Sequence, residues 1–325
     1  MVLSPSEIIV LSYKIPTFLL YSTLTVRLAY QLYRVNRRYP HEYYPFILVD
    51  GIIANSYFLI ELILLLFPRW GIFTFFFKSN AWTARFGYFC IELLICTMFQ
   101  ISCFTIALNR YIAIHKPHAY GATIFTARGV KIIISVCVLI STCFGIGLAL
   151  FESYYISSNG IRYDPVFAPD PKLTYYKYVY SIGYPLFLII SSGVLNLLTI
   201  IRISKMNSEA LKAQKVKVNL IVYSFISFLT FLLFQCYYIT AAIAYNINSP
   251  SLVSLTLTAF PFIMDLCTTA RFYFNIIINK DLRILIIPFY GKIPTQSSGG
   301  VPSLPNNLHN TTATQRSTQR HNQNR

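Results

Sequence analysis

The chain has 325 residues, of which 55% are hydrophobic, 16% aromatic and only 12% charged, with a mean hydropathy of +0.54. One soluble core cannot hide that much apolar surface, so composition excludes an ordinary soluble domain and assigns a membrane protein. The formal net charge of +16 does not point to nucleic acid, because such binders gather Lys and Arg on one solvated face, whereas here they punctuate apolar blocks and orient them.

Crossing about 30 Å of hydrocarbon takes roughly 20 apolar residues in a helix. Seven stretches qualify: Ile8 to Tyr33, Tyr44 to Phe67, Phe86 to Ile114, Gly129 to Phe151, Tyr176 to Ile203, Lys217 to Tyr245 and Ser251 to Asn279. Their continuous apolar runs, such as Ile132 to Leu150, lack the alternation of transmembrane strands. The expected fold is an all-α membrane protein, a seven-transmembrane-helix bundle over residues 1–293, followed by a disordered tail over 294–325.

On the first helix Lys14 and Arg27 interrupt the apolar run. On the second, Asp50, Tyr57 and Glu61 share a face; Asp50 stands at the depth of Arg27, and the two are expected to neutralise each other. Glu61 stands level with Glu92 of the third helix, so two acids are expected to converge. At about 100° per residue, Glu92, Phe99, Cys103 and Arg110 form one stripe, which should face the bundle interior because lipid tolerates neither charge well. Glu92 either borders a ligand cavity or hydrogen-bonds a neighbouring helix.

Pro185 offers a bend in the fifth helix. The basic segment Arg202 to Lys217, with Lys205, Lys212 and Lys215, should extend helices five and six and attract anionic lipid or a partner protein. On the sixth helix Gln235, Tyr237 and Tyr238 add polarity. On the seventh, Asp265 follows Pro261, which can loosen the helix, and joins Thr268, Thr269 and Phe272 in a polar seam; Arg271 lies about 120° away and is not its ion-pair partner along one face. Asp281 to Ile287 is short and amphipathic, suited to the membrane surface and ended by Pro288. From Pro294 the chain is Ser, Thr, Asn, Gln, Gly and Pro, too polar to offset the entropy of ordering.

Taking the N-terminus as outside and the C-terminus as cytosolic, the inner connections carry fourteen Lys and Arg against six on the outer ones, as the positive-inside rule requires. No cationic segment or cleavage site precedes the first stretch, so a removed signal peptide is not expected. A cytosolic Asn310-Thr311-Thr312 sequon is inert. All seven cysteines, Cys90, Cys96, Cys103, Cys137, Cys143, Cys236 and Cys267, fall within the stretches, where Cys packs as a small apolar residue. Ile156 to Lys177 offers Cys90 no disulfide partner, so that loop must be held by packing or stay mobile. The histidines, His41, His115, His118, His309 and His321, lie in loops or the tail. No metal-ligand spacing, nucleophile–base pair or cofactor motif is present, and an enzyme is not expected.

The most specific string closes the third helix: Leu108-Asn109-Arg110-Tyr111, then Ala113-Ile114, Pro117 and Tyr120. It resembles the third-helix exit of rhodopsin-like G-protein-coupled receptors. With Ser12-Tyr13-Lys14-Ile15-Pro16 leading into Leu19-Leu20-Tyr21 on the first helix, and Asp265 followed by Asn279-Lys280-Asp281-Leu282-Arg283 at the end of the seventh, residues 8–290 resemble the nematode serpentine chemoreceptors, in particular the serpentine receptor class gamma family. The resemblance implies a receptor in the plasma membrane, in sensory cilia, for a small environmental or pheromone-like molecule. Asn109, Arg110, Tyr111, Pro117 and Tyr120 would then meet a heterotrimeric G protein on the cytosolic face. The pattern departs from the broader rhodopsin-like one: Asn109 stands where an acid is usual, the sixth helix has no proline, and the seventh has no Asn-Pro-x-x-Tyr string. Retinal chemistry is excluded because the seventh stretch has no lysine for a Schiff base.

The expected ligand pocket lies among the outer halves of helices two, three, six and seven, with Glu61, Glu92, Gln235, Tyr238 and Asp265 as candidate lining. A seven-helix transporter or ligand-gated channel is the alternative, since Asp50, Glu61, Glu92, Asp265 and Arg271 could line an ion path. Oligomer formation is left open.

Overall fold

The computed structural model describes residues 5–34, 42–80, 82–116, 124–157, 163–206, 215–247 and 249–286. Pro117, Tyr120, the tail from Pro294 and the Asn310 sequon lie outside them. Among the described residues, seven helices are long and apolar enough to cross a membrane. They are α1 (Pro5–Tyr33), α2 (Tyr44–Arg69), α3 (Trp82–His115), α4 (Ala127–Ala149), α5 (Pro171–Ser204), α6 (Lys215–Asn246) and α7 (Pro250–Ile278), and a short α8 (Lys280–Ile286) follows. The first, which Lys14 and Arg27 interrupt in sequence, is an unbroken helix.

Local chemistry sets the helix starts. Thr126 accepts from the Gly129 N–H at 3.0 Å ahead of α4, and Asp170 accepts from the Lys172 N–H at 2.8 Å ahead of α5, each satisfying a donor that the first turn leaves free. Pro45, Pro171 and Pro250 occupy first-turn positions, where proline's missing N–H costs nothing.

The core divides into two clusters. One, around Leu24, Phe46, Ile101, Phe125, Tyr223 and Phe272, lies toward the Arg110 end; the other is built on Phe99, Phe231, Phe234, Met264 and Cys267. The outward surface is apolar too, as with Ile132, Val136, Leu139 and Ile146 on α4, and an apolar belt of this kind needs hydrocarbon rather than water around it. In α3 78% of the most apolar window is buried, against 22% in α4, so α3 is the central post against which its neighbours pack.

Four spans contain wide π turns: Glu61–Leu66 in α2, Phe99–Thr105 in α3, Tyr178–Gly183 in α5 and Leu266–Ala270 in α7. Such turns cluster at functional sites. Proline explains two of them. Pro68 and Pro185 directly follow the wide turns of α2 and α5 and supply no N–H to the carbonyls of Leu64 and Ser181 four residues back. In α7 the helix runs through Pro261 as ordinary α-helix, and the widening comes after Asp265 instead.

The bundle is not wholly α-helical. Between α4 and α5, β1 (Ser153–Ser157) and β2 (Tyr163–Phe167) pair antiparallel, Ser153 opposite Phe167 and Ser157 opposite Tyr163. All seven cysteines are free, so packing and polar contacts hold this hairpin. Tyr88 of α3 stacks on Phe167 at 4.0 Å and donates to the Pro165 carbonyl at 2.7 Å. Arg69 pairs with Asp164 at 2.8 Å. Tyr155 donates at 3.2 Å to the Leu64 carbonyl that Pro68 leaves without its usual donor; burial raises the Tyr155 pKa, which keeps the hydroxyl protonated for that bond.

Candidate functional site

Buried charged residues define four places in the bundle. Nearest the middle, Asp50 of α2 receives Arg271 Nη2 of α7 at 3.0 Å, the Ser102 hydroxyl of α3 at 2.5 Å and the Tyr21 hydroxyl of α1 at 3.3 Å. The guanidinium also donates through Nε to the Cys267 carbonyl and lies 4.8 Å from the Phe231 ring centroid of α6. Asp50 and Arg271 are 2% and 1% exposed. Five helices therefore meet on one neutral ion pair. The expected Arg27–Asp50 pairing is corrected: Arg27 is exposed and donates at 2.6 Å to the Leu285 carbonyl of α8. Matching depth was not enough, because Arg27 points away from the interior, and a buried carboxylate takes the cation that is already desolvated beside it.

The second place joins α1, α2 and α7. Lys14 Nζ sits 2.8 Å from Glu61 and 2.9 Å from Asp265, and Tyr13 donates to the other oxygen of Asp265. Thr17 bonds Tyr273 at 2.7 Å below it. The intruding lysine of the first helix thus answers two acids from helices two and seven. Beside the cluster is a small cavity with about 30 Å³ of space for water, lined among others by Asn55, Tyr57, Thr268 and Thr269. That holds one or two waters, not a drug-sized ligand. Asp265 and Arg271 belong to separate networks, as the angular argument requires.

Glu92 stands apart. The expected convergence with Glu61 does not occur: the charged neighbours of Glu61 are Lys14, Asp265 and Arg69, and Glu92 has none. Its carboxyl group lies instead within electrostatic reach of Tyr176 and Tyr180 of α5 and Tyr238 of α6. Gln235, 1% exposed one turn before Tyr238, donates to the Ile182 carbonyl in the wide turn of α5 at 3.2 Å, and its Oε1 has no partner among the described residues. The candidates therefore separate, Glu61 and Asp265 around Lys14, and Glu92, Gln235 and Tyr238 between α3, α5 and α6. Sequence reasoning missed Lys14 as the partner of two acids and missed Tyr180; the aromatic run Tyr175-Tyr176-Lys177-Tyr178-Val179-Tyr180 was the available signal for the latter.

The stripe of Glu92, Phe99, Cys103 and Arg110 is buried throughout and ends at Arg110, remote from the hairpin. Arg110, 4% exposed, lies with its guanidinium carbon 4.0 Å from the ring centroid of Tyr43, a cation–π contact from the start of α2. Its Nε and Nη2 have no hydrogen-bond partner among the described residues. Asn109, fully buried, donates at 2.5 Å to the Glu42 carbonyl and so ties the segment carrying Tyr43 to α3. Tyr111 is half-buried and stacks on His115 at 4.1 Å. An aromatic lid and an amide tether thus stand where an acid beside the arginine is usual.

Seven apolar helices around charged inter-helix junctions, with a buried arginine at one end and a hairpin over the other, define a seven-helix membrane receptor. The family model for the serpentine type 7TM GPCR chemoreceptor Srv matches residues 10–288, and the chain belongs to that family. It is a GPCR-type chemoreceptor and a membrane protein, of a family of receptors rather than of enzymes. The class differs from the gamma class that the sequence resemblance suggested, within one superfamily; short strings at helix ends report shared architecture more than class. No curated protein matches the chain.

Proposed function

We propose that this chain is a plasma-membrane receptor of sensory cilia that binds a small environmental or pheromone-like molecule at its hairpin end and activates a heterotrimeric G protein at its Arg110 end. The N-terminus is then outside, the hairpin roofs the ligand side, and α8 lies along the inner surface, with the tail beyond it in the cytosol. Ligand contacts come from Glu92, Gln235 and Tyr238. Glu61 and Asp265 act behind them by holding α1, α2 and α7 together through Lys14. Asn109, Arg110, Tyr111, Pro117 and Tyr120 form the G-protein side.

The observation that carries this reading is Arg110: a buried guanidinium whose Nε and Nη2 have no hydrogen-bond partner among the described residues, capped by the Tyr43 ring, at the end of the central helix remote from the hairpin. Ligand binding acts through differential affinity for two helix arrangements, one of which withdraws Tyr43 and leaves Arg110 free to bond the partner. An Arg110→Ala variant reaches the cell surface and binds ligand but loses nucleotide exchange on the G protein; exchange at the wild-type rate would defeat the assignment.

A further inference from the structure

The described spans hold four deeply buried acids, and three are matched to cations: Asp50 to Arg271, and Glu61 with Asp265 to Lys14. Glu92 is the exception. It is 8% exposed, and it has neither a hydrogen bond nor an ion pair among the described residues. The groups around it are unfinished as well. The hydroxyls of Tyr180 and Tyr238 have no hydrogen-bond partner among the described residues, and each lies within electrostatic reach of Glu92 and of the other. Gln235 adds a buried Oε1 with an open lone pair. An ionised carboxyl group left bare in an apolar interior is strongly disfavoured, so natural proteins pair such groups. Here the pairing group is missing from three helices at once.

We infer that Glu92, Tyr180 and Tyr238, with Gln235 at the edge, form a recognition site for a protonated amine carrying an aromatic or apolar body. The inference rests on the receptor reading above and names its ligand class. The free groups are a carboxylate, an amide oxygen and two phenol oxygens, all able to accept. An ammonium group offers three donors and no acceptor, and so complements such a set, whereas an anion is repelled by it. Tyrosine faces add cation–π attraction. Toward the bundle centre the Tyr238 ring packs on Phe234, the near edge of the buried Phe99–Phe231 cluster, so the inner wall of the site is aromatic and suits an apolar ligand body. Toward the hairpin, Tyr180 is within reach of Tyr88, which is bonded to the hairpin at Pro165, so the cluster lies directly beneath the roof.

The test uses the full-length receptor in lipid nanodiscs, with 2-phenylethylamine and its neutral isostere 2-phenylethanol as probes, and binding read by calorimetry. The amine binds at least about tenfold more tightly than the alcohol, because only its ammonium gives the Glu92 carboxylate a charged, hydrogen-bonding partner. Glu92→Gln abolishes that preference, and Tyr238→Phe weakens amine binding about threefold or more. Without ligand, Glu92→Gln unfolds at the same temperature as the wild type or higher, since it replaces an unpartnered buried carboxyl group by an amide of the same shape that is never charged. Equal binding of amine and alcohol, amine binding unchanged in Glu92→Gln, or a lowered unfolding temperature in that variant each overturns the proposal. Failure of the receptor reading looks different: amine binding persists, but no nucleotide exchange depends on Arg110. If exchange depends on Arg110 and no amine binds, the receptor reading stands and the ligand class is wrong.

Discussion

Replacing Asp50 by Ala tests whether the five-helix junction is an ion pair in its energetics as well as its geometry. The substitution removes the acceptor of Arg271 Nη2 at 3.0 Å, Ser102 at 2.5 Å and Tyr21 at 3.3 Å, and leaves a guanidinium that is 1% exposed. Breaking a buried pair from one side costs about 3–5 kcal/mol, and Asp50→Ala belongs at the upper end because two hydroxyls lose their acceptor with it. Arg271→Met belongs nearer the lower end of about 3 kcal/mol, since Asp50 keeps both hydroxyl donors. The double variant holds no buried charge at the junction and loses only hydrogen bonds worth about 1 kcal/mol each. With the singles summing to about 8 kcal/mol and the double at about 3–4 kcal/mol, a double-mutant cycle should therefore return a coupling of about 4–5 kcal/mol. The cysteines supply the assay. Five of the seven are buried, and Cys103 and Cys267 pack in the cluster beside the junction, so a thiol-reactive fluorophore reports unfolding on heating without added labels. Additive single variants, or a double variant less stable than Asp50→Ala, would refute the reasoning.

Two further outcomes follow from the neighbouring sites. Lys14→Met leaves Glu61 and Asp265 facing each other with no cation and lowers stability by about 3 kcal/mol or more; adding Asp265→Asn recovers part of it, and no recovery by the same thiol assay would show that Lys14 contributes by packing alone. Tyr43→Ala removes a cation–π contact worth about 1–2 kcal/mol in a desolvated setting and uncovers Arg110, so basal nucleotide exchange rises; an unchanged basal rate would mean that the ring is not a brake.

How much of this could be read from the chain differs by level. The seven helices were legible because hydrocarbon imposes a length and a composition that a sequence either meets or does not. That Asp50, Glu61, Glu92 and Arg110 face inward was legible for the same reason. Partner choice was not. Asp50 and Arg271 are 221 residues apart, and their meeting depends on how α2 and α7 rotate within the bundle, which a depth estimate does not fix. Wide turns compound this, since each shifts the phase of everything beyond it, and those in α3 and α7 have no proline just after them to announce them. The hairpin was missed although its signal was present: Asn159-Gly160, a strong hairpin dipeptide, stands between the aromatic segments Ser153-Tyr154-Tyr155-Ile156 and Tyr163-Asp164-Pro165-Val166-Phe167.

The wide turns and the polar junctions occur together, and that coincidence constrains mechanism. Glu61 opens the wide turn of α2, Ser102 lies inside that of α3, Tyr180 inside that of α5, and the turn of α7 separates Asp265 from Arg271. A wide turn removes ordinary ladder bonds, so side chains take them up: Thr105 donates to the Gln100 carbonyl at 2.8 Å and Ser192 to the Cys103 carbonyl at 2.9 Å. Helices satisfied partly by side chains from neighbouring helices can exchange those partners at lower cost than uniform α-helices can. From Tyr238, within electrostatic reach of Glu92, ring contacts run through Phe234, Phe99 and Phe231 to Arg271 and Asp50, and from there through the buried Ile101–Phe46 cluster toward Tyr43. Contiguity of this kind is not coupling. It becomes coupling only if the ligand prefers one set of junction partners over the other. An agonist should then change the measured energy of the Asp50–Arg271 pair, and a pair of the same strength with and without agonist would place the switch elsewhere.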